Sequence, residues 1–223
     1  MNTRFSRWLF IAAVAAILCF APSALADGAQ MDLTGAGSNT LGGAYVGPYT
    51  ATVNGVSTLV VCDDYADDSY VGETWTATAN TLANLTGTKW GGKNQAVQGY
   101  DEMAWLFTQM FSANNPSVVA DLQYAIWAVF DPSALSVISG ENLFNTLWWL
   151  SQARLQKYSA GEFSNIVLYT PNTKYPINCN GRPCQNTPPQ EFMAYTPTPE
   201  PASLLLLGTG MVGLGFMLRR ALA

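Results

Sequence analysis

The chain has 223 residues, a net charge of −5 and no histidine. Without histidine, Ser-His-Asp and Cys-His catalysis and most zinc sites are excluded, which makes an enzyme a weak expectation. All 15 acidic residues but only six basic ones lie between positions 27 and 200, and this acidic balance argues against nucleic acid as a partner. No motif in the sequence indicates a cofactor.

The first 26 residues have the three parts of a secretory signal peptide. Two arginines precede an apolar stretch, and Ala24 and Ala26 form a small-residue cleavage box. Cleavage by signal peptidase after Ala26 is therefore predicted. Residues 27–196 would then form one exported globular domain, because their number suits a single domain.

The exported domain begins with a pattern typical of β-structure. Residues 27–43 are rich in Gly, Ser, Thr and Asn and are expected to form an irregular lead-in. Residues 49–53 and 56–61 flank an Asn-Gly pair, which favours the type I′ turn of a hairpin. Alternation of Trp and Ala with Thr predicts a third strand at residues 71–79.

The periodicity of apolar residues then becomes helical. Three helices are predicted at residues 95–111, 116–130 and 141–158, the second after an Asn that suits an N-cap. Two short strands are predicted at residues 166–169 and 192–195. Strands at both ends with helices between them indicate an α+β fold, in which an antiparallel β-sheet or sandwich carries a small inserted helical group.

The chain ends in three parts, which we call the tail. A Pro-rich linker is followed by an uncharged apolar run and a basic pair. An apolar run of this length as a helix reaches the lower limit for a single transmembrane helix, with the basic pair in the cytoplasm. The parts are the linker 197–201 with Pro199, Glu200 and Pro201, the apolar run 202–218, and the basic segment 219–223 with Arg219 and Arg220.

The tail closely resembles the PEP-CTERM sorting signal of exported bacterial proteins. In that family a Pro-Glu-Pro motif, a Gly-interrupted apolar helix and terminal arginines are recognised by an exosortase, which removes the tail. The resemblance implies a protein that is held briefly in the inner membrane and then delivered to the cell envelope or an extracellular matrix. It concerns the tail alone and leaves the activity of the domain open.

Three cysteines remain after the signal peptide. Cys179 and Cys184 are close in sequence and are the natural disulfide partners in an oxidising compartment. Cys62 then has no partner at the end of a predicted strand, where it can simply be a small buried hydrophobe. Gln123 lies on an apolar helix face, and a buried amide there must find hydrogen-bond partners.

Cys62 and Gln123 together resemble the thioester domains of bacterial surface adhesins. Those domains pair a strand-borne Cys with the Gln of a Gln-x-Ala-Ile-Trp helix, a motif that residues 123–127 match. The resemblance implies that the Cys62 sulfur displaces the Gln123 amide nitrogen, which leaves an internal thioester able to acylate an amine-bearing surface ligand. The chain departs from the adhesins at Leu122, where they commonly have Thr or Ser. A buried thiol beside a hydrogen-bonded Gln is the alternative.

An acidic cluster follows Cys62 directly and offers oxygen ligands for calcium. It lacks the spacing and the sixth-position Gly of an EF-hand, so a solvated turn between strands is the simpler interpretation. The calcium candidates are Asp63, Asp64, Asp67 and Asp68.

Two other features suggest binding or hydrolysis of glycans. Asp101, Glu102 and Glu141 could supply a carboxylate pair for glycoside cleavage, although more simply they complement helix dipoles. Five tryptophans could line a sugar-binding surface, but large aromatic residues are usually part of the core, and only the polar loop around Trp90 favours exposure. The five are Trp75, Trp90, Trp105, Trp148 and Trp149.

The leading hypothesis from the sequence is an exported, non-enzymatic surface or extracellular-matrix protein. It would act in adhesion or matrix assembly, with extracellular polysaccharide or an amine-bearing ligand as the partner. The alternatives are a secreted carboxylate-based glycan hydrolase and a carbohydrate-binding module without covalent chemistry.

Overall fold

The computed structural model describes residues 28–181, 184 and 187–196. The predicted signal peptide and the whole tail, including the predicted transmembrane helix at residues 202–218, lie outside the described residues. No helix within the described ranges is both long and apolar enough to cross a membrane.

Six strands form a closed antiparallel barrel in the described part of the chain. All eight strands of the described residues are, in chain order, β1 (Ala29–Gly35), β2 (Thr40–Leu41), β3 (Ala44–Tyr45), β4 (Tyr49–Val53), β5 (Val56–Cys62), β6 (Thr74–Thr81), β7 (Ile166–Pro171) and β8 (Phe192–Tyr195). The barrel order is β1-β4-β5-β8-β7-β6, and β1 pairs with both β4 and β6 to close it. Strands β2 and β3 form a separate small hairpin.

The predicted open sheet or sandwich is therefore wrong, and the reason lies in β1. This strand falls within residues 27–43, which composition had marked as an irregular lead-in. Its residues nevertheless alternate, with Ala29, Met31 and Leu33 buried and polar residues between them. Because β1 bonds to a strand on each side, it turns an open sheet into a barrel without free edges.

The predicted hairpin is confirmed. Val53 of β4 pairs with Val56 of β5, and the two residues between them, Asn54 and Gly55, have φ angles of 51° and 80°. Positive φ at both central positions is what a type I′ turn requires, and Asn and Gly reach it at low cost.

The three predicted helices are confirmed between β6 and β7. They are α1 (Ala96–Ser112), α2 (Pro116–Phe130) and α3 (Gly140–Leu155), with a 3-10 turn at Pro132–Val137. Asn115 caps α2 as expected, since its side-chain oxygen accepts a hydrogen bond from the Ser117 N–H at 2.9 Å.

Helix α2 connects two hydrophobic cores. One core fills the barrel around the stacked rings of Trp75 and Phe192, and the other lies between the barrel and the helices. Trp127 of α2 packs in the first core and Ile126 in the second. Residues 120–128 are all buried, so any polar side chain in this stretch must find its partners inside the protein.

Helices α1 and α2 meet at Gly99. A Cβ atom at this position would lie 2.3 Å from Cζ of Phe130, whose ring is held between Trp90 and Tyr100 at centroid distances of 5.5 Å. The Phe130 ring has little room to move, so this contact requires glycine.

We expect Gly99→Ala to lower the free energy of unfolding by about 1–3 kcal/mol through overpacking, although Gly-to-Ala in a helix is ordinarily stabilising. Denaturant unfolding monitored by tryptophan fluorescence measures the change. Gly92→Ala is the control, because no atom lies within 4 Å of the added Cβ there. A Gly99→Ala variant as stable as the parent would show that α1 and α2 are not in close contact.

Candidate functional site

The fold brings Cys62 and Gln123 into direct contact, although 61 residues separate them. Cys62 ends β5 and Gln123 lies in the middle of α2, and neither side chain is exposed to solvent. The Gln123 Nε2 donates a hydrogen bond to the backbone carbonyl of Cys62 at 2.7 Å. The amide group is thereby held beside the residue whose thiol the sequence had paired with it.

The other end of the Gln123 amide is held by Gly47. The Gly47 N–H donates to Oε1 of Gln123 at 3.2 Å, so the two partners together determine which end of the amide is oxygen. A Cβ at Gly47 would lie 2.9 Å from Oε1 and 3.0 Å from the Tyr49 ring. Only glycine allows the backbone to approach the amide this closely.

The Cys62 thiol is neutral in this environment. It donates to the Asp64 carbonyl at 3.1 Å, and the Asp64 N–H lies 3.4 Å from the sulfur. Burial raises the pKa of Cys62 well above its usual value, and the nearby Asp64 and Asp63 raise it further. The Trp127 indole and the Asp64 backbone lower it in part. The sulfur thus carries a proton rather than a thiolate charge.

Aromatic rings enclose the pair. The Tyr65, Tyr124 and Trp127 rings contact one another at centroid distances between 5.0 and 6.4 Å. Burial, followed by the nearby Cys62 and Tyr124, raises the pKa of Tyr49, which places its ring near the same thiol. This surrounding keeps water away from the amide and the sulfur.

Residues 36–48, which we call the flap, cover the site on one side. The flap contains the β2–β3 hairpin and is bonded to α2 at the start and in the middle of that helix. The Tyr124 hydroxyl donates to the Leu41 carbonyl at 2.8 Å, and Asn39 Nδ2 donates to the Pro116 carbonyl at 2.8 Å. Contact of the buried pair with a large molecule therefore requires movement of the flap.

A surface groove of about 280 Å³ lies between the flap and the start of α2. Gly47 lines it, and the same residue bonds the Gln123 amide, so the groove ends one peptide unit from that amide. The lining side chains are uncharged and include Ser38, Asn39 and Val119.

The proposed calcium ligands have other partners. The Lys89 ammonium lies 2.9 Å from the Asp64 carboxylate and also pairs with Asp67. Asp68 is exposed. Within the residues that the structure describes, no group of three or more His, Cys, Asp or Glu side chains is placed to hold a metal ion.

Asp63 instead faces the buried Glu191, a contact that sequence reasoning missed. Glu191 accepts hydrogen bonds from the Tyr100 hydroxyl at 2.6 Å, the Lys89 backbone N–H at 2.9 Å and the Thr170 hydroxyl. Burial raises the pKa of Asp63 well above its usual value, and the charge of Glu191 raises it further. The Asp63 carboxyl is therefore held in its protonated form.

The predicted disulfide is confirmed. Cys179 and Cys184 are bonded with an S–S distance of 2.01 Å. Cys62 is buried and is the free cysteine of the described residues. Cys62, the cysteine without a disulfide partner, is thus the one that contacts Gln123.

The acids considered for glycan cleavage do not share a cavity. A cavity of about 370 Å³ at the start of α1 is lined by Glu102 and Arg154. Glu102 is the only carboxylate among its described lining residues. Asp101 is partly exposed and Glu141 is exposed at the start of α3.

The tryptophans divide into core and surface. Trp75 and Trp90 are buried, and the expectation that Trp90 lies exposed in a polar loop is wrong. Its indole N–H donates to the Asp63 carbonyl at 3.3 Å, which removes the cost of burying the polar group. Trp105 and Trp149 are partly buried, while Trp148 is 48% exposed.

We expect Asp63→Asn to flatten the dependence of stability on pH. The raised pKa of Asp63 stabilises the fold fully below the pKa of the unfolded chain, about 4, and this contribution is lost as pH rises through the folded pKa. Asparagine keeps the size of the side chain but has no proton to lose. Denaturant unfolding at pH 5 and pH 8 measures the difference.

The variant should lose less stability than the parent between the two pH values. The exposed Asp68→Asn is the control and should follow the parent. An Asp63→Asn variant with the parent's pH dependence would contradict a raised pKa of Asp63 in the folded protein.

The comparisons with known proteins concern the tail. The family model of the PEP-CTERM protein-sorting motif matches residues 197–221, while no curated protein and no solved structure matches the chain. The prediction of a PEP-CTERM tail from its Pro-Glu-Pro motif, apolar run and terminal arginines is thereby confirmed. The chain thus carries a PEP-CTERM sorting motif at residues 197–221, which implies an exported protein that is sorted through an exosortase.

Proposed function

We propose that the exported domain forms an internal thioester between Cys62 and Gln123 and uses it to attach covalently to an amine-bearing partner. The observation that carries this proposal is the 2.7 Å hydrogen bond from the Gln123 amide to the carbonyl of Cys62, with both residues completely buried. The bond places the reacting residues side by side before any chemistry occurs.

Formation of the thioester is an exchange within the chain. The Cys62 sulfur attacks the side-chain carbonyl carbon of Gln123, a C–S bond forms, and the bond from that carbon to Nε2 breaks. The thiol proton leaves on the nitrogen as part of ammonia. Because the buried thiol is neutral, it carries the proton that the departing nitrogen needs.

The surroundings of the pair support both steps of this chemistry. The Gly47 N–H already bonds Oε1, the oxygen that gains negative charge when the carbonyl is attacked, so it acts as an oxyanion donor. The aromatic residues around the site exclude water, which would otherwise hydrolyse the thioester.

Transfer to the partner reverses the exchange with a different nitrogen. A primary amine attacks the Gln123 acyl carbon, the C–S bond breaks, and one amine proton returns to the Cys62 sulfur. The product is an amide that joins Gln123 to the partner. Each domain reacts once, so the protein is an adhesin or matrix component and not an enzyme.

The sorting signal agrees with this role. After processing of the tail, the domain would reside in the cell envelope or an extracellular matrix, where proteins and amine-bearing polysaccharides are available as acceptors. The strongly acidic domain would also attract a protonated amine to its surface.

We expect the mature parent protein, with its disulfide intact, to lack the mass of one ammonia relative to its sequence. Cys62→Ala and Gln123→Glu should show their full sequence masses, because each removes one reacting group. Intact-mass spectrometry of the natively purified proteins makes the measurement.

Methylamine provides a second measure of the same bond. Treatment of the parent should add one methylamine and free one thiol, and the two variants should take up none. A parent protein of full sequence mass with a Cys62 that alkylates in the native state would refute the thioester.

We expect Gly47→Ala to slow thioester formation at least several-fold while the protein still folds. The added Cβ would lie 2.9 Å from Oε1 of Gln123 and would push the amide away from its N–H donor. The time course of ammonia loss after refolding measures the rate. Gly92→Ala is the control, because the backbone there is not in the positive-φ region and the added Cβ meets no atom within 4 Å. Equal rates in both variants would remove Gly47 from the mechanism.

A further inference from the structure

Helix α3 exposes an apolar face to solvent, which we call the outer face. Phe144 is 70% exposed and Leu155 is 73% exposed, with Leu147 and Trp148 about half exposed between them. These positions and Ser151 recur at intervals of three and four residues, so they share one side of the helix.

The opposite side of α3 is apolar too. Leu150 and Ala153 are buried against the rest of the protein, and Trp149 is partly buried beside Trp105. A surface helix ordinarily carries polar residues outward. Ser151 is the polar residue of the outer face, and its hydroxyl is hydrogen-bonded within the helix, because it donates to the Trp148 carbonyl at 2.7 Å. A continuous apolar face of this kind marks an interaction surface.

The chain leaves the domain near this helix. Glu102 lies opposite Arg154, and Trp105 lies opposite Trp149, so α1 and α3 run antiparallel. The end of α1 is therefore level with the start of α3, where Phe144 lies. Tyr195, two residues before the tail begins, packs against Phe107 and Phe111 in that half of α1.

The length of the linker limits how far the domain can stand from the membrane. The tail carries a membrane-associated sorting signal, and only residues 197–201 separate the domain from its apolar run. Fully extended, this linker spans at most about 20 Å. A domain of this size is about 40 Å across. The point where the chain leaves the domain is thus held within about 20 Å of the lipid surface while the tail is in place.

We propose that the outer face of α3 rests on the lipid surface while the tail still holds the protein. Phe144, Leu147 and Trp148 would enter the interface between headgroups and acyl chains, a position that suits aromatic and aliphatic side chains. The acidic domain is repelled by anionic lipid, so the surface it fits is zwitterionic. This contact depends on the sorting tail and not on the thioester.

The test uses the mature chain with its tail, reconstituted into phosphatidylcholine vesicles. Nitroxide labels are placed at Phe144→Cys and Trp148→Cys, and at Val56→Cys as a control on an exposed barrel hairpin. Cys62 is buried and Cys179 is disulfide-bonded, so neither competes for the label. Accessibility of each label to oxygen and to a nickel chelate is compared.

We expect the labels at positions 144 and 148 to be several-fold more accessible to oxygen than to the nickel chelate, and the label at 56 to show the reverse. Adding Leu147→Ser and Leu155→Ser should return the label at 148 to water-like values without changing the label at 56. Because these side chains are exposed, the circular dichroism spectrum should not change.

Two results would overturn the proposal. Water-like values at both 144 and 148 in vesicles would show that the outer face does not touch lipid. Dipolar broadening between labels on different molecules, with low accessibility to both reagents, would show that a second copy of the chain covers the face instead. The mass measurement for the thioester is unaffected by either result, so the two proposals can fail separately.

Discussion

The burial of the middle of α2 is the constraint on which the rest of the structure depends. Its residues 120–128 lie between the barrel interior and the helical core, so a polar side chain there has no access to water. Gln123 meets this requirement by bonding the Cys62 carbonyl and the Gly47 N–H. The same two bonds fix the orientation of the amide beside Cys62.

Two different buried polar sites meet at the end of β5. Cys62, the last residue of β5, belongs to the core inside the barrel, whereas Asp63, the next residue, faces the buried Glu191. The first site is enclosed by aromatic rings and carries no formal charge. The second holds two carboxyl groups, of which Glu191 is bonded by Tyr100 and the backbone of Lys89. Adjacent residues of the chain thus belong to two separate buried sites.

The exported domain and the tail have separate roles, and the linker at residues 197–201 joins the domain to the apolar run of the tail. The tail carries the sorting motif, as the family match indicates. The flap covers the Cys62–Gln123 pair, and the outer face of α3 lies on a different element.

The sequence by itself determined the features that depend on short stretches of chain. The sorting tail, the Asn-Gly hairpin, the three helices and the Cys179–Cys184 disulfide all follow from local patterns, and so did the pairing of Cys62 with Gln123 as a hypothesis. Only the tertiary structure decided the barrel closure by β1, the Glu191 partner of Asp63 and the burial of Trp90, because each depends on contacts between distant segments. The composition of residues 27–43 did not indicate β1 as a strand. Its alternation is short, and it becomes a barrel strand only through pairing with strands on both sides.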